Sequence, residues 1–176
     1  MGRRRRSWPG LLALAFAQFT LAACDEAVTA VQINRPGGPQ AGGQDGLLVC
    51  DAPLANSITA EIGPEGGILS LGGHRLVVPR GALNAPVSIT MAVPTTETLE
   101  LRFTVEDEPL FVFLRDVVVE ISYARCLDQV GDSPLRVWQL DPVTRLPVLD
   151  HGGVDDPSRM TLTITTLQLS TFVVAR

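Results

Sequence analysis

The chain has no lysine. All 14 of its basic side chains are arginine, against 19 acidic ones, and its formal charge is −5. Aromatic residues are scarce as well, at 5% of 176 residues. Histidine occurs only at His74 and His151, and cysteine only at Cys24, Cys50 and Cys126. Each shortage narrows the field. Two histidines leave few places for general acid–base chemistry. No further ligands stand at metal-binding spacing around the cysteines, so no metal and no cofactor is expected. After the first 23 residues no window repeats apolar residues at the helical period. An acidic chain is repelled by a phosphate backbone, so nucleic acid is not an expected partner.

What is present begins with four arginines, Arg3 to Arg6, and an apolar stretch from Leu11 to Ala23 broken only by Gln18 and Thr20. A basic start, a short apolar run and small residues at its end make a signal peptide. The run is shorter than the roughly 20 apolar residues of a membrane span. Its end, Leu21-Ala22-Ala23-Cys24, resembles the lipobox of bacterial lipoproteins. That resemblance implies cleavage before Cys24, a diacylglycerol thioether on its thiol, and often a third acyl chain, such as palmitate, on the new amine. Each buried methylene contributes roughly 0.8 kcal/mol, so two or three chains make a lasting anchor. The plainer alternative is an ordinary secretory signal followed by a chance cysteine. A twin-arginine signal fits less well, because Ser7-Trp8-Pro9 departs from its pattern. On the lipoprotein reading the chain divides into a removed signal, residues 1–23, a lipidated N-terminus and flexible tether, residues 24–57, and a domain, residues 58–176. The mature chain keeps 10 basic and 19 acidic side chains, a charge of −9. Its first partner is the lipid bilayer, on the periplasmic face or the cell surface.

Residues 25–45 include the run Arg35-Pro36-Gly37-Gly38-Pro39-Gln40-Ala41-Gly42-Gly43-Gln44, which has almost nothing to bury. Cys50 and Cys126 are the even remainder once Cys24 is lipidated. In an exported chain such a pair suggests a disulfide, the alternative being two separate buried thiols. From about Ile58 short apolar runs alternate with Gly and Pro. Strands are expected over 68–71, 74–78, 87–93, 99–105, 110–114, 117–124, 135–140, 160–165 and 171–175. Val87-Ser88-Ile89-Thr90-Met91-Ala92-Val93 shows the period-2 pattern most clearly. The fold class is all-β, an antiparallel β-sandwich, with a barrel as the alternative.

Three segments carry a family resemblance: Ile62-Gly63-Pro64-Glu65-Gly66-Gly67, Leu76-Val77-Val78-Pro79-Arg80-Gly81-Ala82-Leu83, and Leu169-Ser170-Thr171-Phe172-Val173-Val174. Together they resemble the ZU-five domain of zonula occludens proteins, netrin receptors and ankyrins. The resemblance covers residues 58–176. It implies a β-sandwich used for protein–protein contact, with no small-molecule substrate. Some relatives of this architecture cleave themselves at a His-Phe-Ser motif near the final strand. The matching positions here are Gln168, Leu169 and Ser170, and an amide at 168 has no useful proton affinity.

The remaining candidates have plainer readings beside them. Ser170, His151 and Asp150 formally make up a triad, but no nucleophile-elbow motif is present. Asp150, Asp155 and Asp156 offer oxygens to a cation, yet lack the one-apart spacing of a calcium loop and read as a solvated hairpin tip. Glu106, Asp107 and Glu108 read as a charged turn before Pro109, and Trp138 as core. The sequence therefore points to a membrane-anchored envelope lipoprotein, not an enzyme, with a non-catalytic module for contact with an envelope protein or for envelope structure. The competing expectation is a self-processing or hydrolytic domain using Ser170.

Overall fold

The computed structural model of the chain describes residues 46–51, 56–107, 109–129 and 133–176. The apolar stretch Leu11–Ala23, Cys24, the run 25–45 and Glu108 lie outside the described residues. In chain order the strands are β1 (Asn56–Ile62), β2 (Gly67–Leu71), β3 (His74–Val78), β4 (Val87–Val93), β5 (Glu100–Val105), β6 (Phe111–Ser122), β7 (Arg136–Leu140), β8 (Pro147–Gly152), β9 (Val154–Asp156), β10 (Thr161–Leu169) and β11 (Thr171–Ala175). A short 3-10 turn, Ala124–Gln129, follows β6. One sheet has six strands in the order β1-β4-β5-β11-β7-β8, and the other has five in the order β2-β3-β6-β10-β9. Every pairing is antiparallel. Two sheets with four free ends make a sandwich; a barrel would have closed them.

Alternation drives the packing. In β4, Ile89, Met91 and Val93 are buried while the residues between them are half-buried. In β5, Leu101, Phe103 and Val105 turn inward in the same way. β3, β6 and β10 answer from the facing sheet with Leu76, Val119, Ile121 and Leu162. Phe103 meets Phe172 edge-on, ring centres 6.1 Å apart, a favoured aromatic geometry. The last strand is the most enclosed: β11 lies between β5 and β7, and all five of its residues are buried.

Besides β1, which was not among the expected strands, three features differ from the sequence reading. The expected strands 110–114 and 117–124 are one strand, β6. Its partner register jumps from Val117 opposite Thr166 to Val112 opposite Gln168. Residues 113–116 have no partner on β10; Phe113 still turns into the core, while Leu114, Arg115 and Asp116 are exposed without ending the strand. Second, the acid-rich stretch 147–156 forms the edge strands β8 and β9. Third, the packed domain reaches back to Gly46, into the stretch assigned to the tether. Leu48 is 0% exposed. Its N–H donates to Val174 O at 2.8 Å, and its carbonyl accepts from Leu99 N at 2.9 Å. Residues 46–50 thus form a strap wedged between β11 and the chain entering β5, with bridges Leu47–Ala175 and Val49–Thr98. The apolar run Leu47-Leu48-Val49 is the physical reason: it is too apolar to stay in water.

Two of the glycine turns lock together. Gly66 has a positive φ of 81°, and a Cβ there would overlap the Val78 carbonyl. Gly81, also at positive φ, donates its N–H to Pro64 O at 2.8 Å. The turns after β1 and after β3 therefore brace one another.

Cys50 and Cys126 are at bonding distance, with Cα atoms 4.4 Å apart and a sequence separation of 76. Both are buried. The bridge fastens the strap to the 3-10 turn. Closing a loop of that length restricts the unfolded chain by about 4 kcal/mol on the chain-entropy account. Replacing both cysteines by serine should lower the unfolding free energy in urea by about that amount. Loss of less than about 1 kcal/mol would mean that the bridge does not constrain the unfolded chain.

Candidate functional site

Ser170 stands between β10 and β11, where the chain leaves one sheet and joins the other. It is 0% exposed. Its carbonyl accepts the Phe103 N–H at 3.0 Å, and its Oγ has no hydrogen-bond partner among the described residues. His151 lies on β8. Its Nε2 is 3.2 Å from Gln139 Oε1, and its ring packs edge-on against Phe172 at 5.4 Å. Asp150 turns the other way. Its carboxylate takes Arg136 Nε at 2.8 Å and the Gly152 N–H at 2.7 Å. Burial would raise the Asp150 pKa, but the Arg136 and Gly152 contacts outweigh it and hold the group below its usual range. Burial lowers the His151 pKa against the pull of Asp150. The formal triad is thus dispersed: Asp150 bonds Arg136, His151 bonds Gln139, and neither makes a hydrogen bond to Ser170.

The acidic trio is dispersed too. Asp155 accepts the Tyr123 hydroxyl at 2.8 Å. Asp156 caps the turn after β9, accepting from Ser158 N and Oγ and from Arg159 N. Burial and the Asp155 contact push the Tyr123 phenol up to about 12. Among the described residues no three His, Cys, Asp or Glu side chains cluster as metal ligands would. Glu106 and Asp107 both take positive φ in the turn after β5, and Glu106 N donates to Ser88 O. Trp138 is buried, but in a small second cluster with Leu140, Val173 and Ala175, packed against Leu47 of the strap.

The same region holds an open cleft of about 470 Å3, lined by Leu47, Glu100, Leu140, Arg145, Pro147 and Val173 among others. Glu100 is 3% exposed. Its Oε1 accepts from Arg102 at 3.1 Å and from Arg145. Arg145 has a φ of 61°, a conformation that favours glycine. The sequence thus keeps an arginine at the tip of the β7–β8 hairpin where glycine would be less strained, and that arginine reaches across to Glu100. The pairing ties the hairpin down onto β5. Sequence reasoning missed this cluster. Glu100 and Arg102 occupy outward positions of an alternating strand, where side chains ordinarily face water.

His74 is the other buried polar group of consequence. Its Nδ1 accepts the Ser122 N–H at 3.2 Å, which fixes a neutral ring with the proton on Nε2. Burial, helped by the Arg125 cation, pushes its pKa down to about 4. Arg125 in turn donates to Asp51 O, next to the disulfide.

Two outcomes follow from these placements. Below about pH 6.5 an unfolded histidine takes up a proton that folded His74 refuses, so stability falls with pH until His74 itself titrates near 4. The loss across that window should be roughly 3 kcal/mol. Asn at position 74 keeps an acceptor for Ser122 but cannot titrate. Urea unfolding of His74→Asn should be flatter than the parent between pH 6.5 and 4; parallel profiles would remove His74 from the account. The second outcome concerns Ser170. A buried hydroxyl without a base is a weak nucleophile. Intact-mass spectrometry should find no fragment beginning at Ser170. A fragment lost in Ser170→Ala would show that the corner cleaves itself.

No family model and no curated protein matches this chain.

Proposed function

We propose that the chain is a lipid-anchored protein of the bacterial envelope whose β-sandwich serves as a non-catalytic module for contact with another envelope protein or for envelope structure. The anchor is acylated Cys24, and the finer assignment of the domain is ZU-five-like. The observation that carries the exported setting is the buried Cys50–Cys126 pair, downstream of Leu21-Ala22-Ala23-Cys24. Such bridges persist in oxidising compartments outside the cytosol. The strap supports the anchoring role, because it gives the chain arriving from Cys24 a fixed attachment to the sandwich. The glycine- and proline-rich composition of residues 25–45 is that of a linker between an anchor and a domain. The non-catalytic reading is supported by the separate partners of Asp150, His151 and Asp155. The resemblance of the segments around Gly66, Gly81 and Ser170 to ZU-five domains supports a contact role.

Metabolic labelling with an alkyne fatty acid tests the anchor. The parent chain should carry label and partition with membranes, and Cys24→Ser should carry none. Label that persists in Cys24→Ser would overturn the lipoprotein reading. Crosslinking on intact cells, followed by purification from the membrane fraction, tests the contact role; a processed chain with no crosslinked species would count against it.

A further inference from the structure

The two sides of the sandwich are finished differently. On one side the edges are β8 and β9. β8 pairs with β7 through two register shifts, and β9 is three residues long. Asp150, Asp155 and Asp156 also lie there. Bulges, shortness and charge are the devices that keep an edge strand from pairing with another chain. On the other side the edges are β1 and β2. β1 pairs with β4 along all seven residues without a shift, and β2 pairs with β3 along all five. Neither contains proline, and their one charge is Glu61. Among the described residues the outer edge of β1 has no strand beside it.

We propose that the β1 edge is a self-association surface, and that a second copy of this chain pairs with it antiparallel about a two-fold axis at Thr59. The Ser57 N–H donates to the neighbouring Asn56 Oδ1 at 2.9 Å, and Ser88, opposite Glu61, turns its N–H and carbonyl to Glu106 and not to β1. By the alternation of antiparallel ladders, the N–H and C=O groups of Ser57, Thr59 and Glu61 then face away from β4. A two-fold axis at Thr59 sets these outward groups against their own equivalents: Thr59 against Thr59, Ser57 against Glu61. Ile58 falls opposite Ala60, and Asn56 opposite Ile62, so all seven residues are paired. Residues directly opposite share a face. Ile58, 37% exposed at the rim of the core, is therefore covered by the second copy. Glu61 meets Ser57, and no like charges are opposed. On the outer face Thr59 already bonds Thr90 through their hydroxyls at 2.7 Å, and Thr90 stands opposite Thr104. The dimer continues this threonine row across the axis. The axis runs perpendicular to the sheet, so both five-stranded sheets fall on the same side and the β2 edges face each other. Tethering two copies to one membrane would raise their effective concentration. The pairing chemistry itself does not require the lipid.

The test uses the whole chain with Cys24→Ser, so that anchoring plays no part and the native bridge leaves no other free thiol. Opposed residues of this type have Cα atoms roughly 5.5 Å apart, within disulfide reach. Under mild oxidation Thr59→Cys should give a covalent dimer in high yield. Ser57→Cys, whose copies lie about four residues apart along the pair, should give little. Adding Ile58→Lys to Thr59→Cys places a charge toward the core side of the added strand and should cut the dimer yield at least tenfold, with the circular dichroism spectrum unchanged. Equal yields at positions 57 and 59, or a yield indifferent to Ile58→Lys, would overturn the proposal. So would Thr59 and Glu61 amides that are protected from hydrogen exchange in a chain that sediments as a monomer at every concentration, because another part of the same chain would then cover the outward groups of the edge.

Discussion

The sandwich depends on one corner. Ser170 alone separates β10, an interior strand of the five-stranded sheet, from β11, an interior strand of the six-stranded sheet. The residues on either side of it cannot relax without disturbing both sheets. Leu169 sits opposite Phe111 on one side of the corner, and Thr171 opposite both Arg102 and Leu140 on the other. The Phe103 N–H closes the gap by donating to the Ser170 carbonyl. A small side chain is what such an enclosed position accommodates. The hydroxyl that invites a catalytic reading occupies a structural crossing.

The strap depends on that corner. It can wedge beside β11 only because β11 is fixed in the middle of its sheet, with Val174 O available to Leu48 N. The disulfide then fastens the strap at Cys50 to the 3-10 turn at Cys126, and Arg125 reaches the Asp51 carbonyl from the same turn. His74, beside Ser122, closes the end of β6 nearby. Backbone bonds, a covalent bridge and a buried neutral histidine thus converge where the N-terminal segment meets the domain.

The alternating strands were readable because one face of each meets the core: Val87–Val93, His74–Val78 and Thr171–Ala175 have the bounds expected from the sequence. The pairing of Cys50 with Cys126 was readable because two cysteines remain once Cys24, in its lipobox-like setting, is set aside. The alternation rule failed where both faces are covered. Glu100 is buried with Arg145 of the hairpin tip reaching over to its carboxylate, and no local pattern signals a cover supplied from 45 residues away. β8 and β9 escaped notice because edge strands lack a buried face, and Val148, Leu149 and Val154 remain exposed. The strap did leave a signal in Leu47-Leu48-Val49, but three apolar residues next to a glycine-rich run are too short to set a boundary by themselves.

Native-state hydrogen exchange tests the structural account of the Ser170 corner most directly. The amides of Phe103, Val173 and Val174 should exchange only through global unfolding, with opening free energies equal to the value from urea denaturation and higher than those of β8 and β9. If those amides instead open locally, well below the global value, the corner is not the element that holds the two sheets together.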